Sequence, residues 1–186
     1  MGPMTTAVLL TGGKSARHGA EKASVTIAGR TVLERMLAEL DSAQVQVTVL
    51  GADPVQGRAF QRDEREHAGP AAALRRFQPT TDLVFVASCD LPLFRAEVIT
   101  VLKDKIHSHD TAIPMIAGRR QYLCALYTRG AFEKWATTEG DSMQDLVKAI
   151  NVMEVSESEL KESGIDPRWV RGFNTPEELA DLLRER

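Results

Sequence analysis

From position 10 to position 22 the chain reads Leu10-Thr11-Gly12-Gly13-Lys14-Ser15-Ala16-Arg17-His18-Gly19-Ala20-Glu21-Lys22. This stretch follows an apolar run, Ala7-Val8-Leu9-Leu10, which is typical of a buried first strand. A glycine-rich turn directly after such a strand lets backbone N–H groups approach a phosphate closely. Three cations in the same loop, Lys14, Arg17 and Lys22, would neutralise a polyphosphate. The stretch therefore predicts a nucleotide-type site.

The spacing of the glycines excludes two common phosphate-binding loops. In a Walker A loop that ended in Gly13-Lys14-Ser15, the first glycine would stand at the position of Val8. The pair Gly12-Gly13 also lacks the G-x-G-x-x-G spacing of the dinucleotide-binding fingerprint. A tight strand-to-helix turn without a ligand is the alternative interpretation. The cations Arg17 and Lys22 favour the phosphate site over it.

Length and composition restrict the class of protein. The 186 residues are enough for one domain with a substantial core, which we expect to span residues 4–186. Residues 1–3 precede a second methionine and are expected to be foreign to the fold. A net charge of −3 creates no basic field that would attract nucleic acid. Two cysteines do not form a disulfide framework, which fits a reducing compartment.

No apolar run reaches the ~18 residues that a membrane helix needs. The N-terminus has neither the basic start nor the long apolar centre of a signal peptide. We therefore expect a cytoplasmic protein with no membrane partner.

Apolar periodicity predicts strands that alternate with helices. Strands are predicted at residues 7–10, 45–50, 83–87, 111–115, 122–128 and 152–155, with helices at 31–42, 69–77, 95–106, 131–137, 142–150 and 156–163 and after 175. Residues 51–68 show no periodicity. Strands separated by helices predict a three-layer α/β fold, a mostly parallel sheet with helices on both faces. Ligands of such sheets bind beyond the carboxyl ends of the strands.

The helix ends carry capping signals. Thr31 with Glu34, and Ser156 with Glu159, have the spacing of capping boxes. Thr175-Pro176-Glu177-Glu178 is a strong helix start, and it leads into a final amphipathic helix with Leu179, Leu182 and Leu183 on its apolar side.

Asp90 follows the apolar strand at residues 83–87, within Ser88-Cys89-Asp90-Leu91-Pro92. Carboxylate oxygen is a preferred ligand of Mg²⁺, which bridges one or two carboxylates to phosphates. A helix cap or an Asx-turn is the alternative role for Asp90. The metal role is favoured because this turn and the glycine loop both follow parallel strands, so they lie on one edge of the sheet.

Other reactive side chains give weaker signals. Cys89 has no base near it in the sequence, and a buried free cysteine usually serves packing. The four histidines show no zinc-binding spacing with the cysteines.

Five ordered motifs make the chain resemble the molybdenum cofactor guanylyltransferases. Residues 10–22 are similar to L-A-G-G-x-S-x-R-M-G-x-D-K, and residues 69–73 to G-P-L-A-G. Residues 89–92 are similar to C-D-x-P, residues 121–127 to Q-P-L-x-A-L-Y, and residues 174–179 to N-T-P-E-D-L. The resemblance implies a Rossmann-like nucleotidyltransferase fold of the glycosyltransferase-A type.

The resemblance also implies a reaction in which GTP and molybdopterin carrying molybdenum give the guanine dinucleotide cofactor and pyrophosphate, with Mg²⁺ as the metal. It implies partners in cofactor biosynthesis or molybdoenzyme maturation. Catalytic roles fall on Asp90, Lys22 and Arg17. Asp90 also holds the metal, and Arg17 and Asn174 lie on the acceptor side. The implied nucleotide-binding residues are Leu10, Thr11, Gly12, Gly13, Lys22, Glu66, Gly69 and Asp90.

Several positions depart from the family pattern. His18 and Glu21 replace Met and Asp, Ala73 replaces Gly, and Gly172 stands where an Asn often precedes the Asn174 motif. Three alternatives therefore stay open: a cytidylyltransferase, a sugar-phosphate nucleotidyltransferase, and a GTP-binding relative without catalysis.

Overall fold

A computed structural model of the chain describes residues 4–11, 22–51, 53–62 and 69–184. Its strands are β1 (Thr5–Leu10), β2 (Thr26–Ile27), β3 (Arg30–Thr31), β4 (Gln46–Gly51), β5 (Ala59–Arg62), β6 (Leu83–Ser88), β7 (Thr111–Ile116), β8 (Arg119–Arg120), β9 (Cys124–Thr128) and β10 (Val152–Val155). Its helices are α1 (Val32–Ser42), α2 (Gly69–Arg76), α3 (Glu97–Ile106), α4 (Arg129–Trp135), α5 (Met143–Lys148), α6 (Glu157–Glu162) and α7 (Pro176–Arg184), with a 3₁₀ helix, η1 (Pro167–Val170), before α7. The predicted alternation of strands and helices is confirmed.

The main sheet has the strand order β10-β7-β9-β6-β1-β4-β5, and β8 pairs with β7. Strand β9 runs antiparallel to both of its neighbours, while the other pairs along this path are parallel. A separate hairpin joins β2 to β3. The predicted mostly parallel sheet is confirmed.

Two apolar layers cover the two faces of the sheet. Ala7 and Leu9 of β1 pack in the layer that contains α1 and α3, whereas Val8 and Leu10 pack in the layer of α2, α4 and α5. Side chains alternate between faces along a strand. A strand with helices on both faces must therefore be apolar throughout, which explains the uninterrupted apolar runs of β1 and β6.

The predicted capping boxes are present. The Glu34 N–H donates to Thr31 Oγ1 at 3.1 Å, and the Thr31 N–H donates back to Glu34 Oε2 at 2.7 Å. Ser156 and Glu159 make the same pair of bonds at the start of α6. These bonds satisfy backbone donors that have no partner inside the helix, and they fix where each helix begins.

The region without periodicity contains a strand that was not predicted, and one sequence prediction is wrong. Residues 51–68 contain a strand, β5, which pairs with β4 at the edge of the sheet. Its sequence, Ala59-Phe60-Gln61-Arg62, is half polar, and both of its ends are exposed. Leu183 was expected on the apolar side of α7, yet it is 43% exposed, and only Leu182 of that helix is fully buried among the described residues.

Candidate functional site

The site lies where β1 and β6 end side by side. The two strands are parallel and in register, with Leu10 opposite Ser88. The Cys89 N–H donates to the Leu10 carbonyl at 3.0 Å, and the Thr11 N–H donates to the Leu50 carbonyl at 2.9 Å. The end of β1, after which the glycine loop follows in the sequence, therefore lies at one edge with the turn that carries Asp90.

Asp90 is held by two neighbours. Ser88 Oγ donates a hydrogen bond to Asp90 Oδ1 at 2.5 Å. Lys22 Nζ lies 3.8 Å from Asp90 Oδ2, and the two side chains are 17% and 25% exposed. An ion pair that water reaches only partly is screened less than one on the open surface. A ligand can still reach the carboxylate, because a quarter of it is exposed.

A segment from the other end of the chain closes over this pair. Lys22 Nζ donates to Asn174 Oδ1 at 3.0 Å, across 152 positions of sequence. The Phe173 N–H donates to the Asp90 carbonyl at 3.3 Å. The Phe173 ring centroid lies 5.9 Å from Lys22 Nζ, within reach of a cation–π contact. Lys22, Asp90 and Asn174 thus form one cluster.

Gly172 permits the close approach of that segment. A Cβ atom at this position would lie 3.1 Å from Asp90 Cγ and Oδ1 and 3.2 Å from Oδ2. These separations are shorter than ordinary van der Waals contact, so a side chain here would push the carboxylate or the segment aside. Glycine at residue 172 is explained by this packing.

A cavity of about 280 Å³ opens beside the cluster. Its lining includes Asp90 and Asn174 from the cluster and the neighbouring Gly172, together with Arg120 from β8 and Tyr122 from the turn between β8 and β9. Leu123, Met143 and Val170 add apolar surface. The cavity therefore joins a charged end to an apolar wall, as small-molecule sites commonly do.

Asp90 suits one kind of metal ion. Within residues 4–11, 22–51, 53–62 and 69–184, no three His, Cys, Asp or Glu side chains group as a metal site. A lone carboxylate does not make a zinc or calcium cage. Mg²⁺ fits, because it keeps several waters and is commonly held by one or two carboxylates together with substrate phosphates.

The neighbouring thiol is unsuited to nucleophilic catalysis. Burial, and next the charge of Asp90, raise the pKa of Cys89 to about 11. Burial also raises the pKa of Cys124. The thiolate is the reactive form of cysteine. Burial and the raised pKa agree with the packing role expected for Cys89.

The predicted site residues fall into three groups. Lys22, Asp90 and Asn174 are in contact, and Leu10 and Thr11 end the neighbouring strand. Gly69 begins α2 with φ of +80°, and no hydrogen bond or ion pair of the described residues joins it to the cluster. Gly12, Gly13, Arg17 and Glu66 lie outside the described residues.

Sequence reasoning missed Ser88 as a partner of Asp90 and Arg120 as part of the cavity lining. Ser88 stands two residues before Asp90 at the end of a strand, where side chains two apart share a face. That spacing is a usable signal. Nothing local in the sequence points to Arg120.

None of the helices in the described part of the chain is both long and apolar enough to cross a membrane.

The chain resembles known proteins over most of its length. The family model of the MobA-like NTP transferase domain matches residues 7–155. A probable molybdenum cofactor guanylyltransferase of Methanosarcina acetivorans is 31% identical, with 95% of this chain and 89% of that protein covered. A protein of the same description from Bacillus cytotoxicus is 26% identical, with 95% and 94% covered.

Two solved structures share the fold. Molybdopterin-guanine dinucleotide biosynthesis protein A of Archaeoglobus fulgidus gives a TM-score of 0.77 at 21% identity, with 96% of each chain covered. The 2-C-methyl-D-erythritol 4-phosphate cytidylyltransferase of Thermus thermophilus gives 0.65 at 20% identity, with 97% of this chain and 96% of that chain covered. The architecture is therefore that of nucleotidyltransferases.

Proposed function

Since the chain belongs to the MobA-like NTP transferase family and is a nucleotidyltransferase, we propose that it transfers GMP from GTP to molybdopterin carrying molybdenum. Pyrophosphate is the second product, and the reaction depends on Mg²⁺. The observation that carries this proposal is the contact of Lys22, Asp90 and Asn174 at the carboxyl ends of β1 and β6. The names of the curated relatives support the choice of substrates.

The proposed step is a phosphoryl-centred displacement. A terminal phosphate oxygen of the pterin forms a bond to the α-phosphorus of GTP. The bond from that phosphorus to the bridging oxygen of the β-phosphate breaks, and pyrophosphate leaves with the electron pair. A phosphate nucleophile is already ionised at neutral pH, so no general base is required. The protein has to supply alignment and charge neutralisation.

The described residues divide these tasks. Lys22 carries the positive charge that faces the phosphates, and Asn174 fixes its ammonium by a 3.0 Å hydrogen bond. Asp90, oriented by Ser88, would hold Mg²⁺. When bound, Mg²⁺ supplies Lewis-acid stabilisation of charge on the transferred phosphoryl group.

The remaining predicted residues complete the nucleotide side of the proposal. Leu10, Thr11 and Gly12 would hold the guanine and the loop backbone, and Gly13 and Arg17 would border the phosphates. Glu66 and Gly69 would contribute on the same side. Asn174 and Arg17 would also face the acceptor.

The cavity of about 280 Å³ provides the acceptor side. Its apolar wall suits a flat heterocycle, and its charged end lies at Asp90, next to the proposed place of the α-phosphate. This arrangement supports a pterin acceptor over a small, fully polar one.

The decisive experiment replaces Asp90. Asp90→Asn is expected to abolish Mg²⁺-dependent pyrophosphate release from GTP and molybdopterin while changing the unfolding temperature little. Asp82→Asn is the matched control, because Asp82 stands at the opposite end of β6 with its carboxylate 63% exposed. Wild-type activity in Asp90→Asn refutes the metal role. Absence of pyrophosphate release by the wild type with any pterin acceptor refutes the proposed function.

The preference for guanine over other nucleobases has its own test, because a cytidylyltransferase shares the fold. Thermal unfolding is measured with GTP, CTP, ATP or UTP at one concentration with Mg²⁺. A ligand that binds only the native state stabilises it by RT ln(1 + [L]/Kd), so at one concentration the tighter ligand gives the larger increase in unfolding temperature. GTP is expected to give the largest increase. Equal increases for all four nucleotides would contradict the guanine assignment.

A further inference from the structure

Arg120 lines the proposed acceptor cavity and lies at the same end of the sheet as Asp90. Strand β8 turns back from β7 through Ala117 and Gly118, and Arg120 pairs with Met115 near the carboxyl end of β7. This end of the sheet also carries Asp90. Among the cavity-lining residues in the described part of the chain, Arg120 is the only cation. Its side chain is 34% exposed, so a ligand can reach it.

The guanidinium of Arg120 is held along one edge. Its Nε donates to Glu154 Oε1 at 2.7 Å, and its Nη2 lies 2.5 Å from the same oxygen. The hydrogen bond to Glu154 raises the pKa of Arg120 against the opposing effect of burial, and the charge of Glu154 and the Tyr122 hydroxyl add to the increase. A guanidinium has five N–H donors. Nε and Nη2 bind one oxygen of Glu154, which orients the group, and Nη1 takes no part in that pair. Tyr122, which also lines the cavity, is a second polar neighbour of the guanidinium.

The hairpin that carries Arg120 is itself fixed. The Ala117 N–H donates to Glu157 Oε1 at 2.7 Å, and the Gln121 N–H donates to the Pro114 carbonyl at 2.8 Å. Helix α6 therefore holds the hairpin at one end, and strand β7 holds it at the other. A cation that is already positioned loses little side-chain freedom when it binds an anion.

We propose that Arg120 is a specificity-determining residue, which selects an acceptor that carries a phosphomonoester. This inference rests on the proposed function, because that function supplies the phosphate-bearing acceptor. The planar guanidinium matches two phosphate oxygens at once. The aromatic ring of Tyr122 and the apolar wall of the cavity then receive the heterocycle. Lys22 and Asp90 bind the nucleotide and its metal ion, whereas Arg120 binds the phosphate of the second substrate.

The test measures binding rather than turnover. An oxidised, fluorescent pterin phosphate is titrated with the protein, and the titration is repeated with the same pterin after phosphatase treatment. Arg120→Ala is expected to weaken binding of the phosphorylated pterin by about 10-fold to 100-fold, the usual effect of losing a charge-assisted hydrogen bond. Binding of the dephosphorylated pterin is expected to stay within about two-fold. The KM for GTP is expected to be unchanged.

Two further variants separate binding from folding. Arg119→Ala removes an exposed arginine of the same hairpin that does not line the cavity, and it is expected to bind both pterins like the wild type. In the double variant Arg120→Glu with Glu154→Arg, the ion pair is restored in reverse. This protein is expected to unfold at the wild-type temperature yet to bind the phosphorylated pterin no better than Arg120→Ala.

The outcomes distinguish this inference from the proposed function. Two results would show a structural role and overturn the inference. One is restored binding of the phosphorylated pterin in the double variant, and the other is an equal loss of affinity for both pterins in Arg120→Ala. Wild-type binding by Arg120→Ala would overturn it as well. If Arg120 governs binding but the wild type releases no pyrophosphate from GTP, the proposed function fails and the inference stands.

Discussion

The replacement of Gly172 by alanine tests the close approach of the C-terminal segment to Asp90. The added Cβ would lie 3.1 Å from Asp90 Cγ and Oδ1, about 0.3 Å inside the 3.4 Å at which ordinary contact begins. A hydrogen bond from Ser88 holds Asp90 Oδ1 in place, so either the carboxylate or the segment must shift by this amount. Misplacing a reacting group by about 1 Å costs about 100-fold in rate. A shift of about 0.3 Å therefore predicts about a four-fold loss of kcat.

The assay is pyrophosphate release from GTP with molybdopterin and Mg²⁺, measured beside thermal unfolding. Overpacking is expected to cost about 1 kcal/mol, which lowers the unfolding temperature of a chain of this size by about 2–4 °C. Gly172→Val, with two more methyl groups at the same place, is expected to lose more than about 10-fold. The loss should therefore increase with the size of the side chain.

The matched control is Gly130→Ala, in helix α4. A Cβ atom there would meet Thr128 Oγ1 at 3.7 Å, an ordinary contact, so activity is expected to be unchanged. Full activity of Gly172→Ala and Gly172→Val would refute the reasoning. Equal losses in Gly172→Ala and Gly130→Ala would refute it too, because only residue 172 contacts Asp90.

Two further predictions concern titrating groups. Burial, and next the charge of Asp90, raise the pKa of Cys89 to about 11. Cys89 is therefore expected to react with iodoacetamide at pH 8 more than about 100-fold slower in the native protein than in the unfolded protein. Equal rates would contradict the burial argument. Ser156→Ala is expected to cost about 1 kcal/mol at pH 7 in urea unfolding. Hydrogen bonds from the Ser156 N–H, and next from its hydroxyl, lower the pKa of Glu159 below 4.5, and the variant loses only the hydroxyl bond. That bond stabilises the fold while Glu159 is ionised, so the difference from wild type should shrink as the pH falls through the lowered pKa. A difference that stays constant down to pH 3 would contradict this reasoning.

Most of the fold was predictable because its signals are local. The apolar runs of β1 and β6 follow from burial on both faces. Thr31 and Ser156 indicate where helices begin, because each forms a capping box with a residue three positions later. Strand β5 was missed for the opposite reason. Its hydrogen bonds to β4 supply its regularity, and its exposed edge position leaves no apolar pattern to detect.

The candidate site was predictable to the extent that topology determines it. Parallel neighbours end at one edge, so the Asp90 turn had to lie beside the end of β1. The contact of Gly172 with Asp90 was beyond prediction, because it depends on how the chain after η1 returns to the sheet. The departure from Asn at residue 172 was visible in the sequence, but its packing reason was not. Arg120 likewise gains its role only from the cavity around it.

The hydrogen bond between Lys22 and Asn174 has a consequence for how the protein is made. During synthesis the ribosome releases Lys22 early, and its partner follows 152 residues later. By then β1, β4 and β6 have all been translated and can already pair. The nascent chain therefore carries a sheet and a cationic loop well before the ammonium group is fixed beside Asp90. Competence for nucleotidyl transfer is accordingly expected to arrive only after Asn174 has left the exit tunnel.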